Sequence, residues 1–213
     1  MLGASSSAQV GQNTLRTGLR PCAPQVQPGF DGSTLPATPE DVFARLAELG
    51  IKTKTHHHPA VFTVGESAPI KAAIPGAHSK NLFLKDRKGR LFLVVALDRT
   101  RIDLKRLHVT VGADGRFSFG SAELLREVLG VEPGSVTPFA AINDTERRVT
   151  IILDAALMEH ELVNFHPLQN TMTTSIGRGD LVAFLRATGH EPQIFALPAP
   201  PAEICVTAAA NPL

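Results

Sequence analysis

The apolar run from Leu91 to Leu97 narrows the possible folds more than any other stretch of this chain. It is far short of the roughly 18 consecutive apolar residues that a membrane helix needs. Just before it, Asn81 to Leu84 forms another strand-like run, and the polar stretch Asp86 to Arg90 lies between them. Two such runs flanking a short turn predict a hairpin-like pair of strands. A pair this apolar has to be covered by other elements.

The covering elements are legible at their ends. Thr38 can cap a helix, Pro39 suits its first position, and Glu40 and Asp41 favour its first turn. Val42, Phe43, Leu46 and Leu49 then share one face, and Gly50 ends the helix. Ser121 caps a second helix that turns Leu124, Leu125, Val128 and Leu129 inward and stops at Gly130. A third helix, near Asp180 to Thr188, buries Leu181, Val182, Phe184 and Leu185. Ile51 to His56, Val136 to Ile142, Val149 to Leu153 and Ile194 to Leu197 read as further strands, with Asn143-Asp144 opening a turn. Regular βαβ alternation is missing. The pattern predicts an α/β (α+β) fold with a mixed, largely antiparallel central sheet flanked by helices.

Composition sets the outer limits. With 213 residues, 43% of them apolar, the chain can bury one sizeable core. Residues 1–37 are rich in Ser, Gln, Gly and Pro and read as a disordered leader; 198–213 read as a flexible tail. The leader's acid-free start faintly resembles a transit peptide, but an ordinary extension explains it more simply. Cys22 and Cys205 both fall in these tails, so the core offers no disulfide, thiolate zinc site or catalytic cysteine. A reducing cytoplasm is the expected location. The net charge of +1 is not that of a protein that coats nucleic acid. Any RNA partner must be gripped locally. Neither DNA nor a membrane is an expected partner.

Several standard chemistries are absent. There is no Gly-x-Ser-x-Gly elbow and no phosphate-binding Gly-x-x-x-x-Gly-Lys loop. His160 and His166 are six residues apart, roughly 240° around a helix, and could not share a metal on one face. His56, His57 and His58 would alternate faces on a strand, so a loop or surface cluster is the expected setting. Arg178-Gly179-Asp180 reads as a helix entry. No metal and no cofactor is predicted.

Three polar clusters remain. Ser79-Lys80-Asn81 precedes a strand, Gly134-Ser135-Val136-Thr137-Pro138-Phe139 is a Gly-to-Pro loop, and Asn164-Phe165-His166-Pro167 is followed by Asn170, Thr171, Thr173, Thr174 and Ser175. Taken singly, each is compatible with a solvated lysine, an ordinary turn or a packed histidine. In order they carry more weight. With His58 to Val64, Lys80 to Asp86, Leu104 to Leu107, Ser118 to Gly120, Gly134 to Phe139, Ile142 to Asp144 and Asn164 to Asn170, the chain resembles the YbaK and prolyl-tRNA synthetase-associated editing domains. The resemblance runs from about Thr38 to Leu197. It is most similar to the freestanding branch that deacylates alanyl-tRNA for proline.

This resemblance implies a metal-free hydrolase domain over 38–197 that cleaves the aminoacyl ester of mischarged Ala-tRNA(Pro). Lys80 matches the family's essential lysine, Asn81 its pocket neighbour, and Gly134 to Pro138 the loop against the aminoacyl group. His166 matches a histidine that sets which side chain fits. Lys80 and Gly134 are thus the candidate catalytic residues; Asn81, Ser135, Val136, Thr137, Pro138 and His166 are the candidate substrate contacts. Lys85, Lys105 and Arg116 are candidates for the acceptor end of tRNA(Pro), and prolyl-tRNA synthetase is a possible partner. An activated ester needs only water, positioning and a stabilised oxyanion. Two other readings stay open: editing of cysteinyl or seryl esters by the same fold, and a binding module without hydrolysis.

Overall fold

The computed structural model describes residues 35–60 and 64–201. Cys22, Cys205, most of the expected leader and tail, and residues 61–63 of the His58 to Val64 segment lie outside the described residues. The strands are β1 (Lys54–His57), β2 (Ala77–Lys85), β3 (Leu91–Leu97), β4 (Ser118–Phe119), β5 (Val149–Asp154), β6 (Leu162–Phe165), β7 (Met172–Gly177) and β8 (Gln193–Phe195). The helices are α1 (Pro39–Glu48), α2 (Val64–Ala73), α3 (Leu104–Thr110), α4 (Ala122–Leu129), α5 (Ala155–Met158) and α6 (Arg178–Ala187), with a 3-10 turn at Pro138–Ile142.

The strands form one mixed sheet in the order β1-β7-β6-β2-β3-β5-β8, with β4 paired to β2. The β2–β3 hairpin is antiparallel from Ser79↔Leu97 to Lys85↔Leu91. β1–β7, β6–β7 and β2–β4 are also antiparallel, whereas β2–β6, β3–β5 and β5–β8 are parallel.

Every residue of β3 is buried because both faces of the hairpin are covered. Leu91, Leu93, Val95 and Leu97 face a large core with Val42 and Leu46 of α1, Leu125 and Leu129 of α4, and Phe184 of α6. Phe92 and Val94 alternate to the other face and pack with Leu84, Ile152, Leu107 of α3 and Val111 just after it. The helix ends are as the sequence implies. Thr38 and Asp41 form a reciprocal capping box on α1, and Ser121 Oγ accepts from Leu124 N while Gly130 adopts the left-handed conformation after α4.

Two expectations fail, and a strand lies where none was expected. Val136 to Ile142 is not a strand: Thr137 Oγ1 accepts from Phe139 N, and Pro138 at the first position starts the 3-10 turn instead. His56 and His57 lie on β1 rather than in a loop, because their backbones pair with Thr173 and Met172 of β7. The polar run after His166 contains strand β7. Its Thr173, Thr174 and Ser175 are buried yet satisfied, as in Ser175 Oγ to Asn164 Oδ1 at 2.6 Å and the 2.9 Å contact between the Thr174 and Thr55 hydroxyls.

Asp86 anchors the hairpin turn. Its Oδ1 accepts from the N–H groups of Lys88 and Arg90, each at 2.9 Å. Its Oδ2 accepts from Arg90 Nε at 2.7 Å and from Asp114 N at 3.1 Å. Burial pushes this carboxyl up, but the Asp114 and Arg90 donors outweigh it and hold it below its ordinary value. Its stabilisation is therefore complete above the unfolded carboxyl's titration and lost as pH falls through the depressed folded value. Asp86→Asn should cost about 2 kcal/mol in urea unfolding at pH 7, with the difference from wild type shrinking below about pH 4. A difference constant down to pH 2 would show that charge is not the origin.

Candidate active site

β2 is paired to β3 along one edge, but its other edge is held only at the ends. Ala77 and His78 pair with β6, and Leu84 and Lys85 pair with β4. Between them, residues 79–83 have no strand neighbour on that side. The Gly134 loop enters this gap, where Asn81 Nδ2 donates to Val136 O at 2.8 Å. Ser79 Oγ donates to Asn164 O at 3.0 Å, which ties the gap to β6.

Ser79, Lys80, Asn81, Gly134, Val136 and His166 line an open depression of about 200 Å³ in this gap. A smaller cavity of about 60 Å³ shares Ser79, Asn81 and His166 and adds His58, His78, Asn164, Phe165 and Thr173 among its walls. The structure therefore brings Lys80, Asn81, Gly134, Val136 and His166 together from three separate segments. Ser135, Thr137 and Pro138 are not on this wall. Ser135 lines a neighbouring pocket with Leu168 and Asn170, while Thr137 and Pro138 are buried as the start of the 3-10 turn. Lys85, Lys105 and Arg116 are exposed.

Gly134 has φ +92, and an added Cβ would meet nothing within 4 Å, so backbone conformation rather than crowding favours glycine there. Ser135 N donates to Glu132 O at 2.9 Å. Among the described residues, the N–H groups of Gly134 and Val136 donate to no protein acceptor. Gly134 is exposed and Val136 half-buried, whereas Asn81 Oδ1 is a buried acceptor without a partner among the described residues. A buried acceptor left unpaired is a cost that a ligand can offset.

Adjacent residues of β2 point to opposite faces. Asn81 faces the Gly134 loop, while the Lys80 ammonium donates to the carbonyl of Thr100 on the other face. Thr100 is itself held: its Oγ1 donates to Asp154 Oδ2 at 2.8 Å, and Leu97 N donates to the same oxygen at 3.3 Å. Asp154 and Thr100 carry no sequence signal, since only the fold places them under Lys80. Nor does sequence single out His58 as a pocket residue. Its Nε2 lies 2.9 Å from Thr173 Oγ1, and its ring centroid is 6.1 Å from that of His166.

His166 Nδ1 lies 2.7 Å from Met172 O. A carbonyl can only accept, so Nδ1 carries the proton and, in the neutral ring, Nε2 keeps its lone pair. Burial, foremost, pushes the His166 pKa down, and the neighbouring His58, Lys71 and His78 add to this against the Met172 bond. Among the described residues, no group of three or more His, Cys, Asp or Glu side chains is arranged to hold a metal ion.

Residues 58–184 match the aminoacyl-tRNA editing domain, and the chain belongs to that family. It is 41% identical over 154 residues to prolyl-tRNA synthetase associated domain-containing protein 1 of Bos taurus, across 70% of this chain and 90% of the bovine one. It is 35% identical over 150 residues to the prolyl-tRNA editing protein ProX of Acetoanaerobium sticklandii, across 70% of this chain and 91% of that protein. Its fold resembles a crystal structure of a candidate trans-editing enzyme for prolyl tRNA synthetase, with a TM-score of 0.58 at 23% identity over 76% of this chain and 98% of that one. At that identity the likeness is one of fold alone.

Titration of the His166 ring by NMR should give a pKa below that of a free histidine, about 6.5, with Nδ1 protonated in the neutral form. A value at or above 6.5 would contradict the depression by burial.

Proposed function

We propose that residues 38–197 form a hydrolase that cleaves the aminoacyl ester of mischarged tRNA in trans, with alanyl-tRNA(Pro) as the preferred substrate. The observation that carries this reading is the cavity of about 60 Å³ joined to the open β2 edge through Ser79, Asn81 and His166. An aminoacyl side chain in the cavity would put its ester at the edge, beside the N–H groups of Gly134 and Val136.

The chemistry asks little of the protein. The ester is already activated, so water can attack once the carbonyl is held and its developing oxyanion is met. Each well-placed N–H donor is worth roughly 3 to 4 kcal/mol to such a step. Pro138 has no N–H and serves the loop by fixing its shape. Lys80, on the far face of β2, is assigned to the ribose or terminal phosphate rather than to proton transfer. The substrate's own neighbouring hydroxyl can relay the proton.

Selection follows from size. Alanine enters a proline site because it is smaller, and a second site too small for proline removes the error. His166 and Asn81 form the walls that set this limit. Lys85, Lys105 and Arg116 are assigned to the acceptor end, where phosphate contacts position the RNA. Prolyl-tRNA synthetase is the expected functional neighbour, in the cytoplasm. No helix among the described residues is long and apolar enough to cross a membrane.

Purified protein should deacylate alanyl-tRNA(Pro) and spare prolyl-tRNA(Pro). Lys80→Ala should lower the rate by about a hundredfold, the scale of one lost electrostatic contact. His166→Ala should extend hydrolysis to larger aminoacyl groups. Hydrolysis of cysteinyl-tRNA(Pro) alone would move the specificity, and an inert protein that still binds tRNA would leave a binding module.

A further inference from the structure

Asn164 is 2% exposed, and its side chain is held from two sides. Nδ2 donates to Pro75 O at 3.0 Å in the turn that leads into β2, and Oδ1 accepts from Ser175 Oγ at 2.6 Å on β7. Together these partners fix which end of the amide points where. The backbone is held as well, because Asn164 O accepts from Ser79 Oγ at 3.0 Å. Gly76 makes the contact with the turn possible. A Cβ there would lie 3.1 Å from Asn164 Nδ2 and 2.8 Å from Leu162 O, so the turn already sits close against β6.

The strand register shows which way this side chain faces. Asn164 stands opposite His78 of β2 and opposite Ser175 of β7. Directly opposed side chains lie on one face of a sheet, and so do those two residues apart on a strand. Asn164 therefore shares a face with His78, with Thr173, and with His166 just past the end of β6. All four are walls of the cavity of about 60 Å³, together with Ile70 and Lys71 of α2. The walls already assigned to size, His166 and Asn81, each have one side-chain hydrogen bond among the described residues, to Met172 O and Val136 O. Asn164 is bonded at both ends of its amide, so an oversized group would have to break two bonds to displace it.

We infer that Asn164 is a specificity-determining residue, the fixed wall that sets how large an aminoacyl side chain the cavity accepts. This rests on the proposed function for taking the cavity as the aminoacyl site. Ser175 is its positioning residue, since the hydroxyl holds the amide carbonyl against β7.

Asn164→Ser shortens the wall, and Ser175→Ala keeps the asparagine but releases its carbonyl. In the full chain, kcat/KM is compared for prolyl-tRNA(Pro) and alanyl-tRNA(Pro). The prolyl-to-alanyl ratio should rise about 10- to 200-fold in Asn164→Ser, the range for one methylene of pocket space. It should rise about two- to tenfold in Ser175→Ala, the scale of one hydrogen bond. A purely structural residue would lower the melting temperature and slow both substrates equally, leaving the ratio at its wild-type value. The hydrolysis-resistant alanyl and prolyl amides of 3′-amino-3′-deoxyadenosine give the corresponding ratio as binding constants, read by calorimetry. A wild type that discriminates, with an unchanged ratio in the variants, overturns this inference alone; if Asn164→Ser does not fold, Ser175→Ala decides. A wild type that prefers the alanyl amide, loses that preference in the variants and cleaves neither ester sinks only the hydrolase reading. A wild type that treats the two amides alike overturns both.

Discussion

β2 makes hydrogen bonds to β3 for most of its length and to other strands only at the ends of its second edge. A strand in the middle of a sheet ordinarily has both edges paired, because its N–H and C=O groups are costly to leave bare. Here the gap at residues 79–83 is met by a loop and side chains instead. The Asn81 amide reaches Val136 O, and Gly120 N donates to Phe83 O at 3.0 Å. The gap lets residues on opposite faces of β2 reach one site, with Asn81 on the core side and Lys80 on the outer side.

The interior beside the gap is polar without being charged. Thr173, Thr174, Ser175 and Asn164 are buried, and their side chains bond to one another or to nearby groups. Such a network holds its geometry when each member is satisfied. Burial of the His166 ring lowers its pKa, against the opposing hydrogen bond from Nδ1 to Met172 O. Among the described residues, Asn81 Oδ1 is one of a few buried side-chain atoms without a partner, and it lies at the gap beside the Gly134 loop.

Support for Lys80 comes from a distance in sequence. Asp154 caps α5 through Oδ1 and holds Thr100 through Oδ2, and Thr100 in turn receives Lys80. A buried carboxylate at the end of a core strand thereby sets the position of a cation at the sheet edge. The resting ammonium already has an acceptor, so a phosphate would take over from a carbonyl rather than order a free chain.

Local rules determined much of this protein. Thr38, Pro39 and Asp41 specify the start of α1, Ser121 and Gly130 bound α4, and the run Leu91 to Leu97 specifies the buried strand. Short motifs were enough to indicate the family and to name Lys80, Asn81, Gly134 and His166. Tertiary structure alone decided where strands run through polar sequence, as in β6 and β7, because satisfaction of Thr174 or Ser175 comes from residues on other strands. It alone set Val136 to Ile142 as loop and 3-10 turn, and recruited His58, Thr100 and Asp154, whose roles depend on contacts 54 to 115 residues away. Propensity and capping act within a few residues of chain, whereas an open sheet edge exists only once distant strands have paired around it.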